Sequence, residues 1–167
     1  MAVKLNSELA AFFETGDQPS ETEFGHLIDS ILPSPVAIAD STPQTLTKAA
    51  NQGRINVVPD LSAATTINIP TPAAAGERYT FVYVGEAEDD HNHIYRTVTT
   101  DNSVEFIGGI ALIDTDGNSS VDFTGSDSEI LTLTDPNTYE INFISTSATD
   151  WYVWGWAAGA DSAAFSS

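Results

Sequence analysis

Two stretches of the sequence hold side chains whose types and spacing suit metal binding. In the first, Asp114, Asp116 and Asn118 alternate around Gly117, as oxygen ligands do in half of a calcium loop. The twelfth position of such a loop carries a bidentate glutamate, but here it is Gly125. An Asp-Gly pair between β-type runs is also a strong hairpin signal. We favour the hairpin and leave calcium as the alternative.

The second stretch is the acidic run EAEDDHNH at positions 86–93. His91 and His93 alternate, so on a strand both rings would face one side. Together with Asp89 or Asp90 they could bind zinc or another transition metal. No third and fourth ligand can be placed, and a solvated acidic loop explains the same residues. The sequence therefore predicts no metal and no cofactor, with these two sites as open alternatives.

Catalytic constellations have no positive support in the sequence. The chain has three histidines, no cysteine, no nucleophile elbow and no phosphate-cradling glycine loop. A glycosidase needs two well-placed carboxylates, and among 24 acidic residues close pairs arise by chance. We predict no catalytic residue; a hydrolase that uses scattered carboxylates is the enzymatic alternative.

The run DWYVWGWAAG near the end of the sequence is the clearest candidate for recognition. On a strand, Trp154 and Trp156 share a face with Tyr152, whereas Trp151 and Val153 point the other way. Exposed aromatic rows stack on sugars or anchor protein partners. We predict that Trp151 and Val153 fill the core and that Trp154 and Trp156 make a subunit contact. A glycan site is the alternative.

The elements that must position these residues are mostly short strands. From Leu46 onward, runs of β-branched and aromatic residues alternate with turn signals, which predicts an antiparallel, jelly-roll-like β-sandwich. The run over 79–84 is apolar on both faces and is expected in the middle of a sheet. Gly108-Gly109 and Asp135-Pro136-Asn137 are among the predicted turns. The predicted strands are Arg54–Val58, Thr65–Ile69, Tyr79–Val84, His93–Thr99, Val104–Ile107, Ile110–Ile113, Val121–Phe123, Ile130–Thr134, Tyr139–Thr146 and Trp151–Trp156.

Residues 1–32 are predicted to form a two-helix appendage. Ser20 and Glu23 match a capping box at the start of the second helix. Each helix carries an apolar stripe that two short helices cannot bury by themselves. Subunit or partner contacts are therefore expected from these stripes, with packing on the chain's own body as the alternative. The predicted contact residues are Phe12, Phe13, Phe24, Leu27, Ile28 and Ile31.

Three further segments complete the predicted organisation. Residues 33–45 contain three prolines and form an extended linker, residues 46–158 form the β body, and residues 159–167 are a loose tail. No signal peptide and no bilayer-spanning run is expected.

The net charge of −19 on 167 residues narrows the range of partners. Such a surface repels phosphate, which predicts no nucleic-acid partner and no anionic membrane. One interpretation of the charge is plain solubility, or a salty environment in which the repulsion is screened. The other is a surface that faces bulk solvent or docks on a basic partner.

Several of these motifs resemble structural proteins of tailed-phage virions. The opening TGDQPSETEFGHLIDSIL is similar to the helical start of head-fibre and head decoration (cement) proteins. The body resembles a β module of the same proteins at four places, which together with the helices cover about a third of the chain. These places are Ile69-Pro70-Thr71-Pro72, Ala75-Gly76, Tyr79-Thr80-Phe81, and Trp151-Tyr152-Val153 with Gly155.

This resemblance implies a jelly-roll-like virion protein, often trimeric, bound to the outside of a capsid. We therefore expect a capsid decoration protein that bridges capsomers, with the major capsid protein and further copies of itself as partners. The alternative is a fibre or collar module that binds host glycans through Trp154 and Trp156.

Overall fold

The computed structural model describes residues 20–31, 34–40, 43–85, 91–98, 103–113, 120–124, 128–158 and 162–166. Within these ranges the protein is mainly β, with twelve strands in two sheets and two short helices. The predicted mainly β class and the separate N-terminal helix are confirmed. The first predicted helix, with Phe12 and Phe13, lies outside the described residues.

The strands divide into a seven-stranded and a five-stranded sheet. The helices are α1 (Glu21–Ile31) and α2 (Lys48–Asn51). The strands are β1 (Val36–Ala37), β2 (Gln44–Thr45), β3 (Ile55–Val58), β4 (Thr65–Ile69), β5 (Arg78–Val84), β6 (His93–Thr97), β7 (Glu105–Ile113), β8 (Ser120–Phe123), β9 (Ile130–Thr134), β10 (Thr138–Ser145), β11 (Asp150–Ala158) and β12 (Ser162–Ser166). The large sheet has the order β1-β3-β5-β10-β11-β7-β8, and the small one β12-β9-β6-β4-β2.

From β1 to β7 the chain alternates between the two sheets at every step. Four pairs therefore join a strand to the next strand but one, and all four are parallel. They are β1–β3, β2–β4, β3–β5 and β4–β6. The long strands β7 and β11 are parallel as well. The prediction of an antiparallel body is thus wrong for five of the ten pairs, because a turn residue marks where a strand ends but not which sheet the next strand joins.

The core fills the space between the sheets with aromatic rings. Fully buried residues alternate with partly buried or exposed ones along β5, β9 and β10, so one face of each strand faces the core. Phe81 on the large sheet lies 4.8 Å, ring centre to ring centre, from Tyr95 on the small sheet. Phe143 also contacts the Tyr95 ring, at 5.7 Å. Such contacts pack the sheets face to face as a sandwich, with β5 inside the large sheet as predicted.

Gly108 and Gly109 do not form the predicted turn, since β7 runs through both residues. A Cβ atom on Gly108 would lie 2.1 Å from the carbonyl oxygen of Val153 on β11. The glycine is there because the two parallel strands approach closely at this point. The glycine pair does mark a special backbone position, but the cause is close packing of two strands and not a turn.

The predicted extended linker and the predicted loose tail both contribute strands. In the described parts of the linker, Val36–Ala37 and Gln44–Thr45 pair at one edge of each sheet. The tail over 159–167 contains β12, which pairs antiparallel with β9. Phe165 on β12 packs against the core. Residues 162–166 are therefore not loose, because backbone pairing with β9 and the partly buried Phe165 hold them on the small sheet.

A buried polar cluster holds the proline-rich connection between β4 and β5. Glu77 accepts hydrogen bonds from the Lys48 ammonium at 2.8 Å and from the Ala73 amide at 3.1 Å. The Ser145 hydroxyl on β10 accepts from the Glu77 amide at 2.8 Å and donates to the Ala74 carbonyl at 2.6 Å. These bonds also explain α2, which was not predicted: it places Lys48 beside Glu77.

Candidate interaction surface

Strand β11 has two chemically distinct sides, as its sequence predicted. Trp151 and Val153 are fully buried between the sheets. Tyr152, Trp154 and Trp156 lie on the opposite side, on the outer face of the large sheet. The rings of Tyr152 and Trp154 stack at 5.7 Å with an interplanar angle of 29°. The aromatic row is therefore formed and reachable from solvent.

Strand register extends this row across the sheet. Trp154 is paired with Gly109 on β7, and Gly109 is paired with Phe123 on β8. Paired residues in neighbouring strands project to the same face. Since Gly109 has no side chain, its position is a shallow notch between the Trp154 and Phe123 positions. Phe123 is 74% exposed.

Many outward positions of the large sheet are apolar from β3 to β8, whereas Thr80, Thr138 and Asn142 are polar positions within it. The exposed Val, Ile, Phe, Tyr and Trp residues project away from the core. They are Ile55, Val57, Val84, Ile107, Ile113, Val121, Phe123, Tyr152 and Trp156. We call these residues, with Trp154, Val82 and Ile144, the outer face.

Charged residues also lie on the outer side of the large sheet. Among the described residues, Glu140 lies in its interior, between Val82 on β5 and Trp156 on β11. Arg78, Glu105 and Asp150 stand at one end of it.

Helix α1 presents a second apolar surface. Its start is the predicted capping box: the Glu23 carboxylate accepts from the Ser20 amide at 2.7 Å, and the Glu23 amide donates to the Ser20 hydroxyl at 3.3 Å. One turn later Phe24 is 48% exposed and Ile28 is 59% exposed, while Leu27 is half-buried. The side chain of Ile31 lies outside the described residues. The stripe is thus largely open to solvent at Phe24 and Ile28.

Of the residues in the zinc alternative, His91 and His93 are described, whereas Asp89 and Asp90 lie outside the described residues. His93 is completely buried, and its Nδ1 lies 2.8 Å from the Tyr139 hydroxyl. His91 precedes β6 and is half-buried rather than in the core. In the described part of the chain, no group of three or more His, Cys, Asp or Glu side chains could hold a metal ion. The calcium alternative over Asp114–Asn118 lies outside the described residues.

The core instead holds a chain of hydrogen bonds that sequence reasoning missed. The Tyr95 hydroxyl donates to the Tyr139 hydroxyl at 2.7 Å, and the Tyr139 hydroxyl meets His93 Nδ1. Burial raises the pKa of Tyr95, so it keeps its proton and remains a donor. The spacing of His93 and Tyr95 could have predicted this contact, because residues two apart on a strand lie on the same face. The face that carries Tyr95 is the one that packs in the core, so His93 lies there too.

Comparison with known proteins gives no identification. The chain matches no protein-family model, and no curated protein is significantly similar to it. Among the described helices, neither has the length and apolar character needed to cross a bilayer.

Proposed function

We propose that this protein is a non-catalytic structural subunit of a larger assembly, of the capsid decoration type that its motifs resemble. In this proposal it binds the outer surface of a phage head as a homotrimer and stabilises the shell by bridging major capsid proteins. The observation that carries the proposal is that two apolar surfaces, the outer face and the α1 stripe, are left exposed.

The size of the outer face supports a role in assembly. Six strands spaced by about 4.8 Å, with outer positions that extend over about 20 Å, give an area on the order of 500 Å². The largest apolar patch on a typical monomer is roughly 300–600 Å² and is often functional. At about 25 cal/mol per Å², leaving such a face in water forfeits on the order of 10 kcal/mol. A partner that covers it recovers part of that free energy.

The charge supports an external position. A chain with a net charge of −19 is repelled by packaged nucleic acid and by anionic lipid. The same charge keeps the exposed side of a bound subunit soluble and discourages further association there.

The α1 stripe is the proposed contact with the shell. The double variant Phe24→Asp/Ile28→Asp should abolish cosedimentation with purified phage heads that lack their own decoration protein. Each carboxylate would be buried without a partner in the contact, which costs several kcal/mol. The matched control is Thr22→Asp/Ala49→Asp, which adds the same charge at exposed positions outside the stripe and should still bind. Normal binding by a folded Phe24→Asp/Ile28→Asp variant would refute this role.

A second candidate function is glycan binding, favoured by the stacked and exposed Tyr152 and Trp154 rings. Sugar rings pack their apolar faces on such aromatic rows. A glycan array should then give hits that Trp154→Ala removes and Phe24→Ala leaves unchanged. An array without hits would exclude this candidate.

A further inference from the structure

We propose that the end of the sandwich beneath the β4–β5 connection binds internal water, held by Glu77, Tyr79 and Trp151. This site goes beyond the proposed function and does not depend on it. Each of the three side chains has a buried polar atom without a hydrogen-bonding partner among the described residues: Glu77 Oε2, the Tyr79 hydroxyl and Trp151 Nε1. Buried polar groups in folded proteins are nearly always hydrogen-bonded, either to protein or to ordered water.

Strand pairing places the three side chains near each other on the inner face of the large sheet. The Glu77 carbonyl accepts from the Ser145 amide at 2.9 Å, and Ser145 is in turn paired with Trp151. Tyr79 follows Glu77 by two residues and therefore shares its face. The rings of Tyr79 and Trp151 meet edge to face at 5.5 Å. The three groups thus lie within two strand spacings, of about 4.8 Å each, of one another.

The hydrogen-bonding chemistry of the three groups selects water as the ligand. The Trp151 indole N–H only donates, a carboxylate oxygen of Glu77 only accepts, and the Tyr79 hydroxyl can do both. Burial, and after it the charge of Glu77, raise the pKa of Tyr79, so the hydroxyl keeps its proton and can donate it. A molecule that complements all three groups must both donate and accept, as water does. A buried water typically makes about three hydrogen bonds.

Charge balance favours a neutral ligand over a cation. The Glu77 carboxylate is already paired through Oε1 with the Lys48 ammonium, at 2.8 Å. The Ala73 amide donates to the same oxygen at 3.1 Å. Oε2 therefore needs a hydrogen-bond donor rather than a second positive charge. Residues 73–76 of the connection above are three alanines and a glycine, whose side chains carry no donor.

The substitution Tyr79→Phe tests the site through its effect on stability. If water binds the Tyr79 hydroxyl, the substitution deletes a hydrogen bond, and the equilibrium constant for unfolding in urea should rise at least about threefold. If the hydroxyl has no partner, its removal should leave that constant unchanged or lower it. A smaller rise, no change or a fall would therefore overturn the inference. The matched control Tyr152→Phe, on the exposed side of β11, should change the constant by less than about twofold.

A measurement on wild type covers the case in which Tyr79→Phe fails to fold. The chain has three tryptophans, so Trp154→Phe and Trp156→Phe assign two indole N–H signals by their loss and leave the third to Trp151. The Trp151 indole proton should show laboratory-frame and rotating-frame Overhauser cross-peaks of opposite sign with water, as a long-lived bound water gives. Absence of these cross-peaks in the folded wild-type chain would contradict the inference.

Discussion

At the scale of single residues, the most constrained polar atom of the core is the Tyr139 hydroxyl. It accepts a hydrogen bond from the Tyr95 hydroxyl at 2.7 Å and lies 2.8 Å from His93 Nδ1. Three side chains from β6 and β10 are thereby fixed relative to each other across the two sheets. The result is a hydrogen-bonded link between the two sheets inside an aromatic core.

Removing the Tyr139 hydroxyl should lower the free energy of unfolding, although it changes the volume of the core very little. Tyr139→Phe leaves both the Tyr95 proton and His93 Nδ1 without this partner, and we expect a loss of about 1–3 kcal/mol in the free energy of unfolding. Thermal or urea denaturation measures it. The matched control is Tyr152→Phe on the exposed outer face, which should change stability by less than about 0.5 kcal/mol. Equal losses in the two variants would show that the Tyr139 hydrogen bonds contribute nothing.

At the scale of elements, helix α1 depends on its cap. The amide and hydroxyl of Ser20 donate to the Glu23 carboxylate and lower the pKa of Glu23 below its ordinary value of 4.5. A carboxyl whose pKa is lowered by folding stabilises the folded form above its unfolded pKa. That contribution disappears as the pH falls through the folded pKa.

The helix should therefore fray as the solution is acidified below about pH 4.5, starting at its first turn. Amide and carboxyl chemical shifts of Glu23 report both the titration and the loss of the cap. Ser20→Ala should return the Glu23 pKa toward 4.5, while Thr22→Ala, in the same turn but outside the cap, should leave it unchanged. An unchanged Glu23 titration in Ser20→Ala would mean that the cap does not form in solution.

At the scale of elements, the sequence predicts strand positions but not strand pairing. Strand positions were readable because alternation along a segment such as Thr65–Ile69 is a local property. Pairing was not, because β5 and β6 are consecutive but lie in different sheets. The Trp154 row was readable too. Its continuation to Gly109 depends on the register between β11 and β7, which are far apart in the chain.

At the scale of the whole molecule, two opposing terms would set the strength of the proposed self-association. Burial of apolar surface between copies favours it, and repulsion between chains of charge −19 opposes it. Salt weakens the second term, since the screening length falls from about 10 Å at 0.1 M to about 3 Å at 1 M. It leaves burial of apolar surface largely intact, so the balance shifts toward the oligomer.

We therefore expect association to tighten by about tenfold, or roughly 1.4 kcal/mol, between 0.05 and 0.5 M sodium chloride. Sedimentation at each salt concentration measures it. Near pH 5 the net charge is smaller, because the sequence pI is about 4.1, so the salt dependence should be shallower there. Comparing the series near pH 5 with a series at pH 7, where the net charge is −19, separates charge screening from a general effect of salt on apolar contacts. The general effect would be equal at the two pH values. Association that weakens with salt would mean that charge pairs, rather than apolar surface, hold the copies together.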